Sequence, residues 1–156
     1  MPRVLGLDFG TRRVGAAVSD PRRMISTPLE VHERTDPTQD ARHYVRLIDE
    51  HEIDRIVLGL PIHTSGREST SAVRVRQFGE WIGQATGLPV YYFDERYTST
   101  EAEEHLIAMG MKRKKRKGYR DMLAAQILLQ NYLDAGCPET TSPSTPLADA
   151  PLEEEG

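Results

Sequence analysis

Three acids stand where apolar segments begin or end. Asp8 closes "VLGLD", Glu95 follows Asp94 at the end of "VYYFDE", and Asp121 opens "DMLAAQILL". A carboxylate withdrawn from water needs a partner or takes up a proton. Carboxylates converging on one point also repel one another, and divalent cations resolve both difficulties. Mg²⁺ and Mn²⁺ prefer oxygen ligands, and few protein carboxylates suffice when waters and substrate phosphates complete the shell. Two such ions about 3.5–4 Å apart activate a water and stabilise the leaving oxygen in phosphodiester hydrolysis. Asp8, Glu95 and Asp121 are therefore candidate catalytic residues and candidate metal ligands. Each alone has a plainer account: Asp8 as a turn residue, Glu95 as an ion pair with Arg96, and Asp121 as an acid in a first helical turn. Their strength is in combination, and spacing alone leaves their meeting to the tertiary structure.

A second feature suits a polyanion. "KRKKRK" puts six cations in a row, Lys112, Arg113, Lys114, Lys115, Arg116 and Lys117, and Arg120 follows. Such a run is too charged to pack inside, and its usual fate is a solvated loop. Beside phosphates it releases counterions and gives salt-sensitive, sequence-blind affinity. Here it leads straight into the segment bearing Asp121, so these six residues are candidate nucleic-acid contacts. Two glycine loops are further candidates. "DFGTRRVG" can hold a phosphate through backbone N–H groups. It also looks like the first phosphate loop of the sugar-kinase, Hsp70 and actin ATPases, which need a second domain that 156 residues leave no room for. "LGLPIHTSG" would bring His63, Thr64 and Ser65 to the carboxyl end of the sheet.

These residues need elements to position them. Residues 3–9 and 14–20 read as paired strands, and 25–34 as a third, with Pro28 favouring an edge or a bulge. Asp36, Pro37 and Gln39 signal a helix start. Residues 53–61 are almost continuously apolar, as in a strand buried on both faces. A second helix carries Val73, Phe78, Trp81 and Ile82 and ends near Gly87. A strand over 89–96 and a helix over 98–110, capped by Thr98 with Glu101, follow. Residues 110–118 read as a basic linker, and the last helix runs to Gly136. In it Asp121, Ala125, Leu128 and Tyr132 fall on one stripe, so an acid shares the sheet-facing side. The order β-β-β-α-β-α-β-α-α predicts an α/β fold, a mixed five-stranded sheet with helices on both faces.

Composition bounds the class. Hydrophobic residues make up 38% and charged residues 28%, and the net charge of −4 hides the local basic run. A single cysteine, Cys137, allows no internal disulfide and no cysteine metal cluster. No apolar run approaches the ~20 residues of a membrane helix. With no signal-peptide pattern at the N-terminus, a cytoplasmic protein with no membrane partner is expected. Residues 1–136 read as one domain. Residues 137–156, rich in Pro, Ser, Thr and acid, read as a flexible acidic tail.

The motifs "LGLDFGTRRVGAAVSD", "IVLGLPIHTSG", "FDERYTSTEAE" and "RKGYRDMLAAQILLQNYL" lie in order over residues 3–135. With them the chain resembles the YqgF/RuvX family, described both as pre-16S rRNA nucleases and as Holliday junction resolvases. The resemblance implies an RNase H-like fold and a metal-dependent nuclease acting on RNA (pre-rRNA, at the 5′ end of pre-16S rRNA) or on DNA. The family's acidic positions match Asp8, Glu95 and Asp121, and Arg13, Arg96 and Thr98 match positions expected to contact phosphate. Ser65 stands where family members often have Asp, a departure in that loop. A junction resolvase would need two active sites and hence a homodimer. The third reading is a nucleic-acid-binding module with little or no catalysis. The acids argue against it, because a pure binder has no reason to place carboxylates beside a polyanion.

Overall fold

The computed structural model describes residues 2–61, 70–94, 104 and 107–140; for 113, 114 and 116–118 it describes the backbone alone. Three strands come first: β1 (Arg3–Phe9), β2 (Arg13–Ser19) and β3 (Ser26–Glu33). Then α1 (Pro37–His51), β4 (Ile53–Leu60), α2 (Thr70–Thr86) and β5 (Val90–Asp94) alternate, and α3 (Arg113–Asp134) closes the order. The sheet runs β3-β2-β1-β4-β5. β1, β2 and β3 pair antiparallel, whereas β4 is parallel to both β1 and β5. The mixed five-stranded sheet expected from the order of elements is the one observed.

Alternation along β1 divides the core. Leu5 and Leu7 pack with Tyr44 of α1 and with Val75, Phe78 and Ile82 of α2. Val4 packs on the other face with Ala125, Leu129 and Tyr132 of α3. Helices therefore cover both faces, as the doubly buried character of β4 requires. Local signals hold in detail. The Asp36 side chain accepts from the Gln39 N–H, and Pro37 takes the first helical position. β3 is an edge strand, and Ala17 pairs with Pro28 while Ala16 pairs with Glu30, so Leu29 is the extra residue of a bulge.

One expectation is corrected. The basic run is not a linker: α3 begins at Arg113, with Lys112 as its N-cap. Like charges along a helix weaken it, which favoured the linker reading. The buried stripe of Ala124, Ala125, Leu128, Leu129 and Tyr132 stabilises the helix, and extension toward its N-terminus adds one bond per residue. Asp121 therefore lies in the third turn, too deep for the helix dipole to explain it. Residues 137–140 are held against the sheet. The Tyr92 N–H donates to the Thr140 carbonyl at 2.8 Å, and the Tyr132 hydroxyl donates to the Pro138 carbonyl at 2.9 Å. The remainder of the expected tail lies outside the described residues.

Behind the sheet's edge, β3 and α1 are joined by polar contacts. His32 Nε2 lies 2.8 Å from Asp40 Oδ1, His43 pairs with Glu30, and the two imidazoles stack at 4.0 Å. Asp40 is buried and also accepts from the Thr35 N–H and hydroxyl. Burial pushes its carboxyl up, but the hydrogen bonds from His32 and Thr35 together outweigh burial and hold it below its ordinary value of 3.8. A carboxyl depressed in the folded state stabilises it above the unfolded value, and that stability is lost as pH falls through the depressed value. Asp40→Asn should cost about 1–3 kcal/mol at neutral pH and make the loss of stability below the ordinary value of 3.8 shallower. Thermal melts across that range check it, and an unchanged acid limb would show that Asp40 is not the linked group.

Candidate active site

Asp8 and Asp121 come from elements far apart in sequence, and two glycines bring them together. Asp8 pairs directly with Gly15 of β2, so both point to the same face. A Cβ on Gly15 would lie 2.1 Å from the Asp121 carbonyl oxygen, so it faces the backbone of α3. A Cβ on Gly6 would lie 2.8 Å from Leu129 Cβ. The absence of two side chains lets α3 lie directly on β1 and β2, and its third turn sits beside the end of β1. Asp8 and Asp121 line one cleft of about 380 Å³ with Gly10, Thr11, Pro61, Ser71, Arg74 and Arg120.

The cleft mixes both signs of charge. Arg13 Nε lies 3.7 Å from Asp121 Oδ2, an ion pair longer than a hydrogen bond. Arg74 and Arg120 lie on the cleft wall. Two carboxylates and two arginines lining one cleft, with Arg13 beside Asp121, suit a cation and a phosphate together. The oxygen donor set of Asp8 and Asp121 fits Mg²⁺ or Mn²⁺, which take carboxylates in small number and keep water and phosphate ligands.

The expected site residues divide. Asp8, Asp121 and Arg13 are brought together. Lys112 and Lys115 are exposed at the start of α3, toward which Arg120 leads. The backbone of Arg113, Lys114, Arg116 and Lys117 continues that helix. Glu95, Arg96 and Thr98 lie outside the described residues, as do His63, Thr64 and Ser65. Asp94, the last residue of β5, follows Tyr92 in alternation and belongs to the α1/α2 face, away from Asp8.

Two features escaped the sequence reading. Among the described residues, Glu30, His32 and His43 form a group whose ligand atoms lie within 4.8 Å of one another. The cross-strand partners of Glu30 and His32 are Ala16 and Val14, which belong to the α1/α2 core, so this group lies across the sheet from Asp8. Its imidazoles are nearly parallel, 10° apart, so their in-plane lone pairs run side by side rather than converging on one ion. The signal available was Glu30 and His32 two apart on a strand, with Asp40 and His43 three apart on a helix. The second feature is an aromatic cleft that Phe9 lines with Phe78 and Trp81.

Comparison with known proteins bears on the family and the fold. The family profile described as "RuvX: Holliday junction resolvase" matches residues 2–135. A protein of Rhodopirellula baltica named "Putative pre-16S rRNA nuclease" is 40% identical over 133 residues, covering 85% of this chain and 77% of that protein. One of the same name from Dictyoglomus thermophilum is 41% identical over 138 residues, covering 88% and 99%. Among solved structures, Thermus thermophilus RuvC in complex with a Holliday junction aligns with TM-score 0.51 at 17% identity, covering 89% and 99%. The fowlpox virus resolvase with junction DNA aligns with TM-score 0.54 at 11% identity, covering 87% and 99%. These likenesses place the fold in the RNase H-like class. With a profile matching residues 2–135 and relatives near 40% identity, the chain belongs to the RuvX family.

Proposed function

We propose that this protein is a metal-dependent nuclease that hydrolyses phosphodiester bonds and matures the 5′ end of pre-16S rRNA. The observation that carries the reading is the meeting of Asp8 and Asp121 in one arginine-flanked cleft. Asp8 and Asp121 would hold the cation, and Glu95 would join them from the segment after β5. A divalent ion bound there lowers the pKa of its water and offsets charge on the leaving oxygen. Arg13 limits repulsion between the carboxylates, while Arg74 and Arg120 orient the phosphate. Arg96 and Thr98 are proposed as further phosphate contacts. Lys112 to Lys117 would grip the backbone beyond the cut. An rRNA substrate implies a cytoplasmic role; among the described residues no helix is long and apolar enough to cross a membrane.

The names of the relatives near 40% identity support RNA as substrate. The family description supports a second reading, resolution of DNA junctions by a homodimer. Labelled structured RNA, DNA duplex and four-way junction, incubated with Mg²⁺ or Mn²⁺ and with chelator, separate them. The expected result is metal-dependent cutting of RNA. Paired cuts in junctions alone, by a species of dimer size, would replace the first reading with the second. Salt-sensitive binding with no cleavage of any substrate would reduce the protein to a binding module.

Neutralising residues 112–117 should flatten the dependence of log affinity on log salt by up to about 4–5 units if all six cations meet phosphate. Filter binding over a salt series measures it, and an unchanged slope would move the substrate path off the start of α3.

A further inference from the structure

The geometry points to a second subsite beside the carboxylates, one that takes an unpaired nucleobase of the substrate strand; it rests on the nuclease reading above. Phe9 follows Asp8 directly, and alternation sends its ring to the opposite face, where it packs against the α1/α2 core. There it joins Phe78 and Trp81 in an aromatic wall, with ring centroids 4.8 Å apart for Phe9 and Phe78 and 5.6 Å for Phe78 and Trp81. The Arg34 guanidinium sits 4.9 Å from the Phe9 centroid and is tied in place by a 2.9 Å hydrogen bond to the Thr11 carbonyl. The wall bounds a cleft of about 460 Å³, which Arg74 and Gln77 complete.

The occupant follows from chemistry and continuity. Phe9, Thr11 and Arg74 line both this cleft and the one holding Asp8 and Asp121. A strand whose phosphate lies at the carboxylates therefore passes over the end of β1 into the aromatic cleft. Aromatic rings and a guanidinium plane are the surfaces on which unstacked bases are held. A base still stacked in a duplex has its faces covered, so the cleft favours one that is unpaired. The Gln77 amide can donate and accept at the base edge. Arg34 and Arg74 match the charge of the flanking phosphates.

Trp81 is the single tryptophan of the chain, so its emission reports on this cleft directly. The full chain is titrated in chelator with labelled oligoadenylate RNA, and with an abasic oligomer of equal length and charge. Oligoadenylate should quench Trp81 saturably and bind about 5- to 100-fold more tightly by anisotropy, as expected for one stacked base. Trp81→Leu, which keeps an apolar side chain but no ring, should bring its affinity close to that of the abasic chain. Equal affinity for the two oligomers, or binding without quenching in the wild type, would overturn the subsite and leave the nuclease reading standing. No binding of either oligomer at low salt would remove both.

Discussion

Asp8→Asn and Asp121→Asn should each lower metal-dependent cleavage by about 10²–10³-fold or more, with the fold and the binding of nucleic acid in chelator retained. Asparagine keeps the size of the side chain and one oxygen but loses the charge that attracts a divalent ion. Asp8 faces solvent across a cleft rather than the interior of the sheet, so little packing is at stake. Residues acting on one centre do not add, so the double variant should be scarcely slower than either single one. Single-turnover cleavage, with circular dichroism as a control for folding, measures this. Cutting at the wild-type rate in both variants would place the reaction elsewhere. Glu95→Gln, run beside them, tests the third carboxylate by the same criterion.

Gly15→Ala should cost both stability and rate, by a different route. The added Cβ would lie 2.1 Å from the Asp121 carbonyl oxygen, and the neighbour is backbone, which cannot rotate away. Either α3 lifts from the sheet or β2 deforms. Overpacking of this kind costs about 1–3 kcal/mol. The larger effect is on catalysis, because lifting α3 carries Asp121 away from Asp8. A displacement of about 1 Å can cost 10²-fold in rate. Gly6→Ala is the comparison: its Cβ would meet Leu129 Cβ at 2.8 Å, a milder overlap about two turns along α3 from Asp121, so its effect on rate should be smaller. Denaturant melts and cleavage rates on the two variants check the pair. Equal losses of rate would mean that close approach at Gly15 does not position Asp121.

Local chemistry carried much of this. Period-two alternation, the Asp36–Pro37 start of α1 and Pro28 on an edge strand each act within a few residues, and each is legible in the chain. The acids were legible for the same reason: a carboxylate beside an apolar run stands out without any fold. The motifs of the family then joined Asp8, Glu95 and Asp121 across the chain.

What depended on distant contacts was hidden. The start of α3 was misread because like charges argue locally against a helix, while the stripe that stabilises it lies a turn or more downstream. The aromatic cleft unites Phe9 from β1 with Phe78 and Trp81 from α2 and Arg34 from the end of β3, and no spacing in the chain signals such a meeting. The sequence by itself determined which acids are candidates for chemistry and most of the elements that carry them. Only the tertiary structure decided that Asp8 and Asp121 share a cleft, because that depends on two missing side chains, at Gly6 and Gly15, opposite one helix. Close approach is a property of surfaces in contact, and a glycine read along the chain does not say what it will lie against.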